Sequence, residues 1–202
     1  MYRWGIAVAG VLVFLLVTSQ LLIPNFAARE VEDRLTAGGG SAEVTMGAVP
    51  AVRLLFGDGE RIEVTARELE LDLDRDAKVW ERLDGFGNVD IAIESFRAGP
   101  FELDHFELRR ESKDPYRLVS SGRTSMGALV DYGIERFNLP GGPLADLATD
   151  LFGDGLDFPV ELDMTLRSKD GGVEVIDGDT TIAGLPAGPL AEMISASIIA
   201  QL

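Results

Sequence analysis

From Phe158 to Leu166 the chain reads FPVELDMTL, with Phe158, Val160, Leu162, Met164 and Leu166 on one parity and proline or polar residues between them. A two-residue period places alternate side chains on opposite faces of a strand. Nine residues at strand spacing reach roughly 30 Å, so this run predicts a long sheet. Other alternating runs lose step. Ile62, Val64 and Ala66 share one parity, while Leu69, Leu71 and Leu73 take the other, with Glu68, Glu70, Asp72 and Asp74 between them. One extra residue near Arg67 restores the register, which predicts a β-bulge, and bulges bend and twist sheets. The same slip separates Phe101 and Leu103 from Phe106 and Leu108. Further strands are expected around Glu43 to Met46, Val89-Ile91-Ile93 and Tyr116-Leu118. Val173-Val175 and Thr180-Ile182 complete the set, joined by the hairpin-type turn DGD.

Helical patterns interrupt the strands. FAAREVEDRLTAGGG puts Ala28, Val31 and Leu35 on one face and ends at three glycines. In PAVRLLFGDGE, Pro50 suits a first helical turn and Gly57 a left-handed cap, so Pro50 to Phe56 reads as a short apolar helix. SMGALVDYGIERF aligns Met126, Leu129, Val130, Ile134 and Phe137, and PLADLATDLFG aligns Leu144, Leu147, Ala148 and Leu151. Between Leu190 and Leu202 the only charged side chain is Glu192. That segment is too short for a bilayer, which needs about 20 residues, and is expected either in the sheet's concavity or against lipid. LFGDGERIEV and LFGDGLDFPV echo one another as helix end, glycine cap, acidic turn and strand.

At the N-terminus, Trp4 to Ile23 holds twenty residues without a charge, about 30 Å as a helix and the thickness of a bilayer's hydrocarbon core. The run exceeds a secretory core of about 7–15 residues, and cleavage after Ala27 or Ala28 would place Asn25 or Phe26 at the −3 position. An uncleaved anchor is expected, with everything downstream exported. The division is then a membrane segment at 1–25 and a single extracytoplasmic α+β domain at 26–202.

Charge and chemistry narrow the functions. The net charge is −16, from 18 basic and 34 acidic side chains, a field that repels phosphate backbones and argues against nucleic acid as a partner. It also argues against adhesion through anionic headgroups alone. The chain has no cysteine, which excludes disulfides and thiolate chemistry. His105 is the sole histidine, with no nucleophile elbow near it, and reads as a strand or bulge residue. Asp72, Asp74 and Asp76 have EF-hand spacing, but Ala77 and Leu83 stand where that loop needs glycine and glutamate. No phosphate loop or dinucleotide fingerprint is present, so neither cofactor nor metal is expected, and the chain does not read as an enzyme.

The order of parts, namely Pro50, Leu55 and Gly57 before the Ile62-Val64-Ala66 strand and IAGLP from Ile182 to Pro186, resembles the LmeA-like phospholipid-binding family of bacterial cell-envelope proteins. The resemblance implies an extracytoplasmic domain, a curved antiparallel sheet cradling helices, and phospholipid binding in envelope lipid maintenance. The apolar faces themselves name the expected lining of a groove for phospholipid or another acyl-chain lipid. They are Leu54, Leu55 and Phe56 of the short helix, Ile62 and Val64, then Leu129, Ile134 and Phe137, then Val160, Leu162 and Met164, and Leu190, Ile194 and Ile198. The competing expectation is an acidic interaction module of the envelope with a filled core and no ligand.

Overall fold

The computed structural model describes residues 2–71, 79–112, 115–125, 127–129, 131–132, 157–169, 172–178, 181–182 and 185–186. In chain order they form helix α1 (Tyr2–Leu35), β1 (Ser41–Gly47), a 3-10 turn (Ala51–Phe56), β2 (Gly59–Arg67), β3 (Glu70–Leu71) and α2 (Val79–Asp84). β4 (Phe86–Ala98), β5 (Phe101–Arg110), β6 (Tyr116–Ser125), β7 (Asp157–Lys169) and β8 (Gly172–Gly178) follow, then the two-residue strands β9 (Thr181–Ile182) and β10 (Leu185–Pro186). β1-β2-β4-β5-β6-β7-β8 lie side by side in an eight-stranded sheet with β3 beside β4, so the chain is a mostly sheet α+β fold.

The sheet is mixed rather than wholly antiparallel. β2 and β3 run parallel to β4, and the other pairs are antiparallel. A parallel neighbour requires a crossover of a dozen or so residues, and the stretch between Leu71 and Phe86, which includes α2, provides it.

The expected loss of step near Arg67 is a left-handed backbone at Glu68 (φ 55°), matched across the parallel pair by Ser95 (φ 52°). Pairing resumes from Arg67 opposite Glu94 to Glu70 opposite Arg97, so the two strands turn over together. Ile62, Val64 and Ala66 before the kink and Leu69 and Leu71 after it are all buried. So are Ile91 and Ile93 before Ser95, and Phe96 and Ala98 after it. β5 turns over at the same level and stays in register with β4, since Glu94 faces His105 and Phe96 faces Leu103. The shift against β6 falls between Leu103 and His105 and leaves Asp104 as the extra residue. A second shift, between Thr165 and Leu166, separates β7 from β8.

Three boundaries differ from the sequence reading. α1 runs unbroken through Pro24, because losing one backbone donor does not end a helix whose following turns bury Ala28, Val31 and Leu35. The apolar turn is 3-10 rather than α, although Gly57 caps it in the expected left-handed conformation (φ 72°), its N–H donating to Leu54 O. Among the described residues β8 and β9 are not paired with one another, as the expected DGD hairpin would require. β9 pairs with β10, while β8 ends at Gly178 (φ 140°) opposite Met164, where a Cβ would lie 2.8 Å from Met164 Cα. Of the expected helix at 126–137, residues 127–129 and 131–132 are helical. The PLADLATDLFG and C-terminal segments, Leu73 and the Asp72-Asp74-Asp76 run lie outside the described residues.

One face of the sheet is dry. α1 lies along β1, and the Glu32 carboxylate accepts from Val44 N at 2.9 Å, occupying a donor on the edge strand. α2 inserts Trp80 and Leu83 at the end of the sheet where β4 begins, with Leu129 and Tyr132 packed against the same core. The other face carries ion pairs between facing strands, Arg67–Glu94 at 3.1 Å, Arg109–Asp90 at 3.3 Å and Arg123–Glu102–Arg97 at 3.0 and 3.2 Å. Exposed pairs of this kind are worth about 0–1 kcal/mol each and favour one register over its neighbours.

Gly122 sits opposite the slip in β5, where an added Cβ would lie 2.7 Å from Leu103 Cα. Backbone cannot move aside as a side chain can, so Gly122→Ala is expected to destabilise the fold by about 1–3 kcal/mol. Chemical denaturation measures it, and an unchanged midpoint would contradict the close approach.

Candidate functional site

The nominated lining residues divide by environment. Leu54, Ile62, Val64, Val160, Leu162 and Met164 are buried in one continuous core with residues from every long strand of the sheet. Leu129 is half-buried against that core. Leu55 and Phe56 are exposed. Ile134, Phe137, Leu190, Ile194 and Ile198 lie outside the described residues. Among the described residues, then, the strand faces expected to meet a guest chain meet each other.

Two recesses among the described residues carry charged linings. A cleft of about 480 Å³ opens beside the Gly99-Pro100 turn and is lined by Arg97, Glu102, Arg123, Thr124, Ser125 and Asp157 among others. Its charges are internally matched, since Glu102 bridges Arg97 and Arg123. The hydrogen bond and charge of Arg123, with a smaller contribution from Arg97, hold the Glu102 carboxyl below its usual range. A second recess of about 350 Å³ shares Arg97, Glu102 and Arg123 and adds Glu68, Glu70 and Asp104. The second also touches Leu69, Phe96 and Leu103, but charged side chains line both recesses, an arrangement that does not suit an acyl chain. His105 lies at the β5 slip, as expected, with Nε2 3.6 Å from Glu107.

A buried polar knot ties α2 to the sheet. The Arg110 guanidinium, 8% exposed, donates to Asp84 Oδ1 at 2.9 Å and to the carbonyls of Leu83 and Phe86. It also lies 4.4 Å from the centre of the Tyr116 ring, which meets Trp80 edge-on at 5.3 Å. Tyr116 donates to Asp84 Oδ1 at 3.0 Å, and Ser168 donates to Oδ2. Every bond links an element end, so the knot reads as structural. Sequence reasoning missed it, although an arginine closing an apolar strand was a visible signal.

Among the described residues, exposed large apolar side chains lie instead mainly on α1 and on the 3-10 turn and the valine before it. Gln20 Oε1 accepts from Ala51 N at 2.8 Å and docks the turn against the helix. A three-residue period then buries Ala51 and Leu54 and turns Val52, Leu55 and Phe56 outward. Phe56 is 83% exposed, with Val49 exposed beside it. On α1 an outward stripe carries Phe14, Leu21, Leu22 and Phe26, the last 71% exposed. The polar side chains on that stripe fold back onto the helix. Thr18 Oγ1 donates to Phe14 O at 2.8 Å, and Asn25 Nδ2 to Leu21 O at 2.9 Å, which satisfies these groups without water. Arg53 is bound at both ends of its fork by Asp58, at 3.0 and 2.8 Å, so these two charges offset one another.

Among the described residues no helix is long and apolar enough to cross a membrane, so the membrane helix expected over Trp4 to Ile23 is not supported by them. Comparison with family models, curated proteins and solved structures finds no match.

Two outcomes test the knot. Arg110→Ala removes the partner of Asp84 and two carbonyls, with an expected loss of about 2–4 kcal/mol in chemical denaturation. Burial first, and then the neighbouring Asp84, push the Tyr116 phenol above its ordinary value, with Arg110 opposing. Its contribution to stability is complete below pH about 10 and is lost at higher pH, where the unfolded chain ionises first. In an alkaline absorbance titration one of the three tyrosines should ionise only as the protein unfolds, and Tyr116→Phe should abolish that step.

Proposed function

We propose that this protein is a single-pass, membrane-tethered domain on the extracytoplasmic side that engages phospholipid or other acyl-chain lipid, without catalysing a reaction. The observation that carries this reading is the outward stripe Phe14, Leu21, Leu22 and Phe26, whose intervening Thr18 and Asn25 satisfy themselves on helix carbonyls. A stripe of this kind costs free energy in water and none in lipid. It continues the uncharged run that begins at Trp4 and ends before the first charges of the domain, Arg29 and Glu30. The resemblance to the LmeA-like family supports lipid as the ligand. The buried state of Ile62, Val64, Val160, Leu162 and Met164 favours lipid contact on the outside of the fold rather than in a groove between sheet and helices.

The same filled core supports a second reading, an anchored acidic module whose wet sheet face meets a basic partner or cations. Native mass spectrometry of the detergent-extracted chain separates the two, since bound phospholipid belongs to the first reading and a bare protein mass to the second.

Tethering is tested by fractionation. The full chain should stay with membranes through alkaline carbonate and high-salt washes. Val13→Arg combined with Leu16→Arg, each costing about 2.5–3.5 kcal/mol at a helix centre, should release it. A wild-type chain that washes off would overturn the tether.

A further inference from the structure

We infer that the 3-10 corner, with Val49, Val52, Leu55 and Phe56, is a second membrane contact that enters the boundary between acyl chains and headgroups beside the anchor. The inference rests on the tethered reading and adds a lipid-binding surface to it.

Depth is the first argument. The Gln20 to Ala51 hydrogen bond fixes the corner to α1 at residue 20. At 1.5 Å per residue, that level is about 5 Å short of Ile23, the last residue of the twenty-residue apolar run, and about 14 Å short of Arg29, the first charge after it. A bilayer whose hydrocarbon core takes up Trp4 to Ile23 therefore has its outer boundary about 5 Å beyond the level of the corner, within the depth to which interfacial apolar surfaces insert. Chemistry is the second argument. The outward side chains are two valines, a leucine and a phenylalanine, and the adjoining Arg53 is closed on Asp58. Rigidity is the third. Ala51 and Leu54 are buried, Gly57 caps the turn, and Gly59 N donates to Gly85 O at 3.0 Å, so the corner is fastened to the sheet that it would orient. The occupant is the zwitterionic surface of the bilayer that holds the anchor. A protein partner would require a complementary hydrophobic surface, whereas a bilayer boundary already lies at this height.

The absence of cysteine allows a single reporter to be placed at will. The full chain, carrying Phe56→Cys, Phe14→Cys or Val175→Cys labelled with an environment-sensitive fluorophore, is reconstituted in phosphatidylcholine vesicles with and without acyl chains nitroxide-labelled at shallow and at deep positions. All three positions are exposed, and circular dichroism confirms that each variant folds. The expected result is a blue shift and nitroxide-dependent loss of fluorescence at positions 14 and 56, and neither at position 175 on the edge strand. Loss at position 14 with position 56 behaving like position 175 would overturn this inference and leave the tether standing. No loss at position 14 would overturn the tether, and this inference with it.

Discussion

The fold depends on keeping apolar side chains on one face of strands that are too long to stay in step. A strand slipped by one residue sends every later side chain to the wrong face. The left-handed residues Glu68 and Ser95 avoid this by turning neighbouring strands over at one level, and β5 follows with Asp104. Each such backbone costs about 1–3 kcal/mol. Burying Leu69, Leu71 and Phe96 beyond the kinks returns about 1.5–3 kcal/mol apiece, and Ala98 adds to that. Burial wins, and the kinks persist because the flanking pairs leave no other register.

Charge is arranged on the same principle. The wet face holds arginines against facing carboxylates, each pair weak and solvated, which offsets the like charges that the register does bring together, Glu63 opposite Asp90 and Arg109 opposite Arg117. Among the described residues the buried arginine, Arg110, has instead a carboxylate, two carbonyls and an aromatic ring around it. A buried cation without those partners would destabilise the end of the sheet that α2 covers.

What could be read from the sequence was what local burial or local geometry decides. The phase slips after Ala66 and after Leu103 were legible because a side chain's face follows from parity alone, and Gly57 was legible because a left-handed cap favours glycine. The parallel β2–β4 pair was not, since parity is the same for either direction and the pairing is set by a distant crossover. α2 was too short to show a period. The candidate site was misplaced for a related reason. Alternation at Val160, Leu162 and Met164 marks a face that leaves water, and it does so equally whether the face meets a lipid or Ile62 and Val64. In AVPAVRLLF the spacing of Ala51 and Leu54 leaves Val52, Leu55 and Phe56 on the outside, a three-residue signal that a reading in α-helical terms obscures.

The apolar turn is thus better explained by what it lacks than by what it covers. Had it served only to close the core, two inward positions would suffice, and Ala51 and Leu54 fill them. The remaining bulk, including a phenylalanine almost fully exposed, lowers solubility unless something apolar reaches it. Helix α1 supplies the geometry for that meeting. It is one continuous rod from the uncharged run to the face buried on β1, so the height of the corner relative to that run cannot drift as it would across a flexible linker. On the tethered reading, an anchor joined rigidly to a sheet would fix depth, and a second apolar contact off the helix axis would fix rotation about that axis. Together they would hold the acidic, ion-paired face in one orientation, which a single helix cannot do.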